Sequence, residues 1–176
     1  MCGQASGDGK RLFLRMENPN VAKKFGLLVK RAFEIDLRAS GEQGSSFCVI
    51  EGGEALRFLR AVKLLGADGR PEERKDLISS MVVQNACCKR AFIRGAFLAG
   101  GSISNPQRSY HFEIVCDCAE KAEQLKGLIH AFGIEAKTVL RKRYHVLYIK
   151  EGNQIVDMLG VMEAHLALME LENVRI

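Results

Sequence analysis

The side chains in this chain that could take part in chemistry are six cysteines, four histidines and a surplus of basic residues, 26 Lys and Arg against 21 Asp and Glu. Cys2, Cys48, Cys87, Cys88, Cys116 and Cys118 contain no CxxC pair, the spacing that structural zinc sites favour. Reduced thiols acting as small apolar side chains are the expectation. A four-sulfur site built from Cys87-Cys88 and Cys116-Cys118 is the weaker alternative. His111, His130, His145 and His165 form no HxxH or HExxH pattern, which argues against metal and nucleophilic chemistry. Gly100-Gly101-Ser102-Ile103-Ser104 lacks the Gly-Lys-Ser/Thr ending of a phosphate loop and follows a helical pattern instead of opening one. No catalytic residue, no metal site and no cofactor are expected, although Glu113 and Asp117 are the carboxylates that a displaced metal would have to use.

That leaves binding. The formal charge of +5 is compatible with nucleic acid, and its distribution must decide the matter. The 176 residues are 47% apolar, enough for one domain or two small halves with a core. No apolar run is long enough to cross a bilayer, and the N-terminal MCGQASGDGKR has no apolar stretch behind its basic pair. A cytoplasmic protein with no membrane partner is expected.

A shift of 100 positions brings the two halves of the chain into register. Leu12, Leu14 and Met16 fall on Phe112, Ile114 and Cys116, while Ala22 and Leu28 fall on Ala122 and Leu128. Phe47, Val49, Glu51-Gly52 and Leu59 meet Leu147, Ile149, Glu151-Gly152 and Leu159. Class matches at a fixed offset predict a duplicated supersecondary unit. In the first half, strands are expected at 12–16, 35–39 and 47–50, with helices at 18–33 and 54–65. In the second, strands are expected at 110–116, 135–140 and 144–150, with helices at 119–132, 154–160 and 161–172. The division is 1–70 for the first half, 71–85 for a polar linker and 86–176 for the second half, with 76–85 leading into a helix at 86–100.

Two kinds of residue in this frame are candidates for binding. Alternation places Leu12, Leu14, Met16, Ile35, Leu37, Phe47 and Val49 on a covered sheet face, with Phe112, Ile114, Cys116, Ala136, Thr138, Leu140, Leu147 and Ile149 on its counterpart. The open faces then carry Arg11, Phe13, Arg15, Asp36, Arg38, His111, Glu113, Lys137, Val139, Arg141, Tyr144, Tyr148 and Lys150, with Lys142 and Arg143 at the rim. Cations that neutralise phosphates, interleaved with planar side chains, suit duplex DNA. An exposed sheet face must in any case be polar. Phe13, Val139, Tyr144 and Tyr148 go beyond what solvation requires and point to a partner. The second kind is a stripe of small residues, Ala91, Gly95 and Ala99, spaced four apart so that another backbone can approach closely. Gly100-Gly101 ends this helix, since glycine enters left-handed geometry without strain.

Ile93 to Ser102, IRGAFLAGGS, resembles the LAGLIDADG motif of homing endonucleases. Together with Cys87-Cys88-Lys89-Arg90 and the closing Leu171 to Ile176, it looks like the WhiA family of bacterial sporulation and cell-division regulators. The resemblance implies an α+β fold of two pseudosymmetric αββαββ-type halves, with curved antiparallel sheets forming a saddle. It also implies that the first half normally has its own motif helix, which is missing here, and that a helix-turn-helix module follows. The acidic positions of the nuclease motif, which hold the metal at the scissile phosphate, are Leu98 and Gly100 in this chain. Neither can ligate a hard cation.

The expectation is therefore a non-catalytic, DNA-binding or interaction domain of a transcription regulator associated with the nucleoid. Its DNA contacts would be Arg11, Arg15, Arg38, His111, Lys137, Arg141, Lys142, Arg143, Tyr144, Tyr148 and Lys150. Weak double-stranded DNA binding, homodimerisation through the small-residue stripe and contact with the transcription machinery are the partner expectations. An alternative to the dimer is that residues 1–9 fold over the stripe. A protein-interaction module without DNA affinity and a nuclease using an unusual acid are the competing functions.

Overall fold

The computed structural model describes residues 2–40, 46–71, 78–105 and 107–175. The chain divides into two compact units, Met1–Arg74 and Lys75–Ile176. The first runs β1 (Cys2–Ala5), β2 (Arg11–Met16), α1 (Pro19–Phe33), β3 (Arg38–Ser40), β4 (Ser46–Glu51) and α2 (Gly52–Ala61). The second runs α3 (Ala86–Gly100), β5 (Gly101–Ile103), β6 (Phe112–Cys116), α4 (Ala119–His130), β7 (Lys137–Arg141), β8 (Tyr144–Ile149), α5 (Gly152–Val161) and α6 (His165–Arg175). Each unit has one antiparallel four-stranded sheet, of order β1-β2-β4-β3 and β5-β6-β8-β7. Both units thus contain ββαββα, and in the second α3 precedes it and α6 follows it.

Local chemistry explains where α1 begins and ends. Asn18 Oδ1 accepts the Asn20 N–H at 2.9 Å, and Pro19 occupies a first-turn position where its missing N–H costs nothing. Lys30 and Arg31 lie in the last turn, opposite the negative end of the helix dipole. The helix stops at Glu34, with φ of 57° and its N–H bonded to Lys30 O.

Each unit buries its own core. Leu12, Leu14 and Met16 of β2 face α1 and α2 together with Cys48 and Ile50. Phe112, Ile114, Cys116, Leu147 and Ile149 face the helices of the second unit, where Leu125, Ile129 and Met158 are fully buried. In β4 the core-facing residues are Cys48 and Ile50, not the expected Phe47 and Val49. Leu14 stands opposite Cys48 and Leu12 opposite Ile50, which leaves Val49 across from Phe13 on the other face; the Phe47 side chain lies outside the described residues. In the second sheet Phe112 stands opposite Ile149. The counterpart of Ile149 is therefore Ile50, and the second half has one extra residue between its last strand and the next helix. A fixed shift of 100 carried the pattern of β8 onto β4 out of phase, and a slip of one residue reverses every side chain.

Other expectations also change. Strand β3 begins at Arg38, and Asp36 precedes it, pairing with Lys30 of α1 at 2.6 Å and not belonging to the open face. Leu140 sits at the far end of the edge strand β7 and is 61% exposed. Residues 78–85 form turns and not the start of a helix. They dock on α4, where Ile78 N–H and C=O both bond the Gln124 amide, and they place Val83 in the core. Cys2–Ala5, one alternative cover for the stripe, is an edge strand paired with β2. Strands β1 and β5 were not foreseen, because so few residues cannot display a period. Residues 41–45, within the glycine- and serine-rich stretch Ser40 to Ser46, and the linker segment 72–77 lie outside the described residues.

The glycine pair ending α3 is required for space and not for left-handed geometry. Gly101 is extended, with φ of −92° and ψ of 157°, and its N–H bonds Phe97 O. A Cβ there would lie 2.2 Å from Phe97 Cδ2 and 2.7 Å from Phe97 O. Phe97 in turn stacks on the fully buried Phe112, with centroids 5.0 Å apart. Gly101→Ala is expected to displace this stack and lower stability by about 1–3 kcal/mol, the usual cost of overpacking. Chemical denaturation would measure it, and an unchanged midpoint would show that the contact is slack.

Candidate nucleic-acid interface

The open face of the second sheet is ordered by its register. Ser102, Glu113, Tyr148 and Lys137 form one row across β5, β6, β8 and β7. Val115, Val146 and Val139 form the next. Tyr144 and Arg141 stand opposite each other at the end of the β7–β8 hairpin. The expected open-face residues of this half are thus brought together on one surface.

Glu113 is the centre of that surface, and its role as a hub was not foreseen. Its Oε2 lies 3.0 Å from His111 Nε2 and 3.0 Å from Arg141 Nη1, and Ser102 Oγ donates to Oε1 at 3.3 Å. A carboxylate only accepts, so the imidazole carries its proton on Nε2. The carboxyl, 21% exposed, is held below its ordinary 4.5, first by the His111 hydrogen bond and then by the Arg141 charge, against the cost of burial. Two of the expected DNA contacts are therefore already engaged by an acid of the same sheet.

The remaining cations border this hub. Arg143 Nη2 donates to Tyr144 Oη at 2.9 Å while its guanidinium lies 5.1 Å from the ring centroid. Lys150 Nζ sits 5.4 Å from the Tyr148 ring, which also stacks with His111 at 6.2 Å. Lys137 and Lys142 form no ion pair among the described residues. Lys142, at the hairpin tip, has φ of 56°, a left-handed conformation that costs a residue with a Cβ about 1 kcal/mol. In the first unit Arg11 is tied to Glu51 at 2.8 Å and Arg15 is exposed. The side chain of Arg38 lies outside the described residues.

Comparison with known proteins agrees with this architecture. A family model described as the WhiA LAGLIDADG-like domain matches residues 89–176, half of the chain. The chain belongs to the WhiA family. A probable cell division protein WhiA from Lachnoclostridium phytofermentans is 43% identical over 99% of this chain and 59% of the relative. One of the same name from Clostridium perfringens is 37% identical over 100% of this chain and 59% of the relative. This WhiA-family chain thus spans 59% of the length of these relatives. Full-length DUF199/WhiA from Thermatoga maritima superposes with a TM-score of 0.71 at 18% identity, over 98% of this chain and 54% of that one. The homing endonuclease I-DmoI, solved with DNA and Mn, shares the fold with a TM-score of 0.61 at 11% identity, over 92% of this chain and 87% of that one.

In this WhiA-family member the motif helix ends without acids. Leu98 is exposed, and a Cβ on Gly100 would lie 3.2 Å from Val115 O, so the helix end rests directly on β6. Glu113 accepts from three donors, and Asp117 is bound by Lys121 at 2.7 Å. Among the described residues no three His, Cys, Asp or Glu side chains gather as a metal site. Cys87 and Cys88 have their sulfurs 3.9 Å apart, and burial pushes the Cys116 thiol up to about 11. Along the stripe Ala91 and Gly95 are exposed and Ala99 is half-buried, with open space beside Gly95. No helix among the described residues is long and apolar enough to cross a membrane.

The motif helix also does work that its sequence did not announce. Arg94 Nη1 reaches Met162 O at 3.2 Å and Glu163 Oε2 at 2.7 Å, while Arg90 Nη1 lies 3.4 Å from Gly160 O. These two guanidiniums, one helical turn apart, satisfy the last carbonyls of α5. They hold the α5–α6 corner, which lies at 162–164 and not at the expected junction of 160 and 161.

Two measurements probe the hub and the hairpin tip. A carboxyl held below its ordinary value stabilises the fold fully above that value and ceases to as pH falls through the folded one. Thermal stability of the wild type is therefore expected to fall more steeply below pH 4.5 than that of Glu113→Gln, which is the less stable of the two at neutral pH. Parallel pH profiles would refute the hub. Lys142→Gly relieves the left-handed strain, so its melting temperature should hold or rise. A drop would mean that Lys142 is needed for the turn itself.

Proposed function

We propose that this chain is a non-catalytic part of a WhiA-type transcription regulator of sporulation and cell division, and that the open face of its second sheet holds duplex DNA weakly. The observation that carries this reading is the charge around the hub. This sheet carries Lys137 and Arg141 on β7, Lys142 and Arg143 at the hairpin tip and Lys150 beside Tyr148, while the carboxylate on its open face, Glu113, is already bonded to Arg141 and His111. Phosphate contacts supply most sequence-independent affinity, and the I-DmoI neighbour that shares this fold was solved with DNA. Leu98 and Gly100 at the motif's acidic positions support binding without cleavage, since neither offers an oxygen ligand to Mg²⁺. Regulation would then take place at the nucleoid, alongside the transcription machinery.

Fluorescence anisotropy with a short duplex tests the proposal. Four cations not held by Glu113 imply a slope of log K against log salt of about −3 to −4. Lys137→Glu should weaken binding at every sequence and reduce that slope by about one. The duplex should stay intact in Mg²⁺ or Mn²⁺. Absence of binding at low salt would leave the second reading, an interaction module. The exposed Ala91 and Gly95 favour that reading, because small residues let a second helix of the same kind approach closely.

A further inference from the structure

Next to the row that holds Glu113, the open face carries an apolar row. Val115 on β6, Val146 on β8 and Val139 on β7 stand directly opposite one another. Val115 is 41% and Val139 38% exposed, on either side of a Val146 that is 3% exposed. Sheet propensity alone does not call for valine here, because threonine is β-branched too and suits a face turned to water. A row of methyl groups selects an apolar counterpart.

We propose that this row reads thymine methyl groups in the major groove of duplex DNA. The proposal rests on the DNA-binding reading above and names the feature that the face recognises. Charge complementarity argues for DNA as the occupant, because Lys137 and Arg141 flank Val139 on β7 and Arg143 lies beside Tyr144 in the next row, cations that match the phosphates flanking a groove. Size agrees: neighbouring strands lie about 4.8 Å apart, so the row spans about 10 Å, and the major groove is about 12 Å wide. The C5-methyl of thymine is the apolar group that bases present there, and the minor groove has none. Val115 and Val139 would each cover one methyl, with the buried Val146 between them.

Replacing every thymine of a duplex by deoxyuridine removes the methyls and leaves charge and base pairing unchanged. With the full chain at low salt, anisotropy should show affinity falling about fourfold for each methyl lost from the contact. Val115→Ser with Val139→Ser removes the methyl groups that would touch thymine, and its melting temperature reports whether the sheet survives. In this variant the preference for thymine over uracil should shrink to within about twofold, with the salt slope retained. Equal wild-type affinity for both duplexes, with a normal salt slope, would overturn the methyl reading and leave DNA binding intact; this comparison needs no variant. A preference that persists in the double variant would overturn the assignment to these valines. Failure to bind either duplex would bring down the DNA reading and this inference together, in favour of a protein partner.

Discussion

Everything on the second sheet depends on how closely the motif helix approaches it. With no Cβ at position 101, the Phe97 ring can lie over Gly101 and stack on Phe112, so the chain passes from helix to strand without a loop. The new strand β5 is thereby set beside β6 in a register that places Ser102 opposite Glu113. The same close contact rests the Gly100 backbone against Val115 O. One steric requirement thus fixes where the helix ends, where β5 begins and which hydroxyl faces the central carboxylate.

Charge on this surface is organised from within. A basic face with one acid in its middle would repel itself if the acid were free, and it would hold each cation in many rotamers. Glu113 instead gathers His111 and Arg141 at 3.0 Å. Long side chains so ordered lose less entropy when a ligand arrives. Other cations serve the architecture: Arg90 and Arg94 cap α5, and Arg11 is held by Glu51. A count of basic residues therefore overstates what is available to a partner, and position decides which of them remain.

Much of the architecture was legible where the local pattern was strong. The alternation of Leu12, Leu14 and Met16 and of Phe112, Ile114 and Cys116 indicated the covered face in both halves, because polar neighbours marked the parity. The run Phe47-Cys48-Val49-Ile50 is apolar throughout and has no internal phase, so its parity had to come from the partner strand. The repeat could have revealed β1 and β5, since Cys2–Ala5 and Gly101–Ile103 occupy nearly the same place in each half. Their brevity hid them from any periodicity. The hub was illegible for another reason: Glu113 and Arg141 are 28 positions apart, and no sequence pattern links them.

By itself the sequence determined the α+β alternation and the absence of acids at Leu98 and Gly100, because these are properties of residue type and short-range spacing, and it showed the duplication through class matches at a fixed offset and the family through a resemblance of motifs. The tertiary structure alone decided which cations are held by acids, that Arg90 and Arg94 belong to a helix cap, and that three valines from separate strands form one row. These are relations between residues distant in the chain, created by strand register and helix packing. A one-residue difference in register, as between β4 and β8, is enough to reverse them.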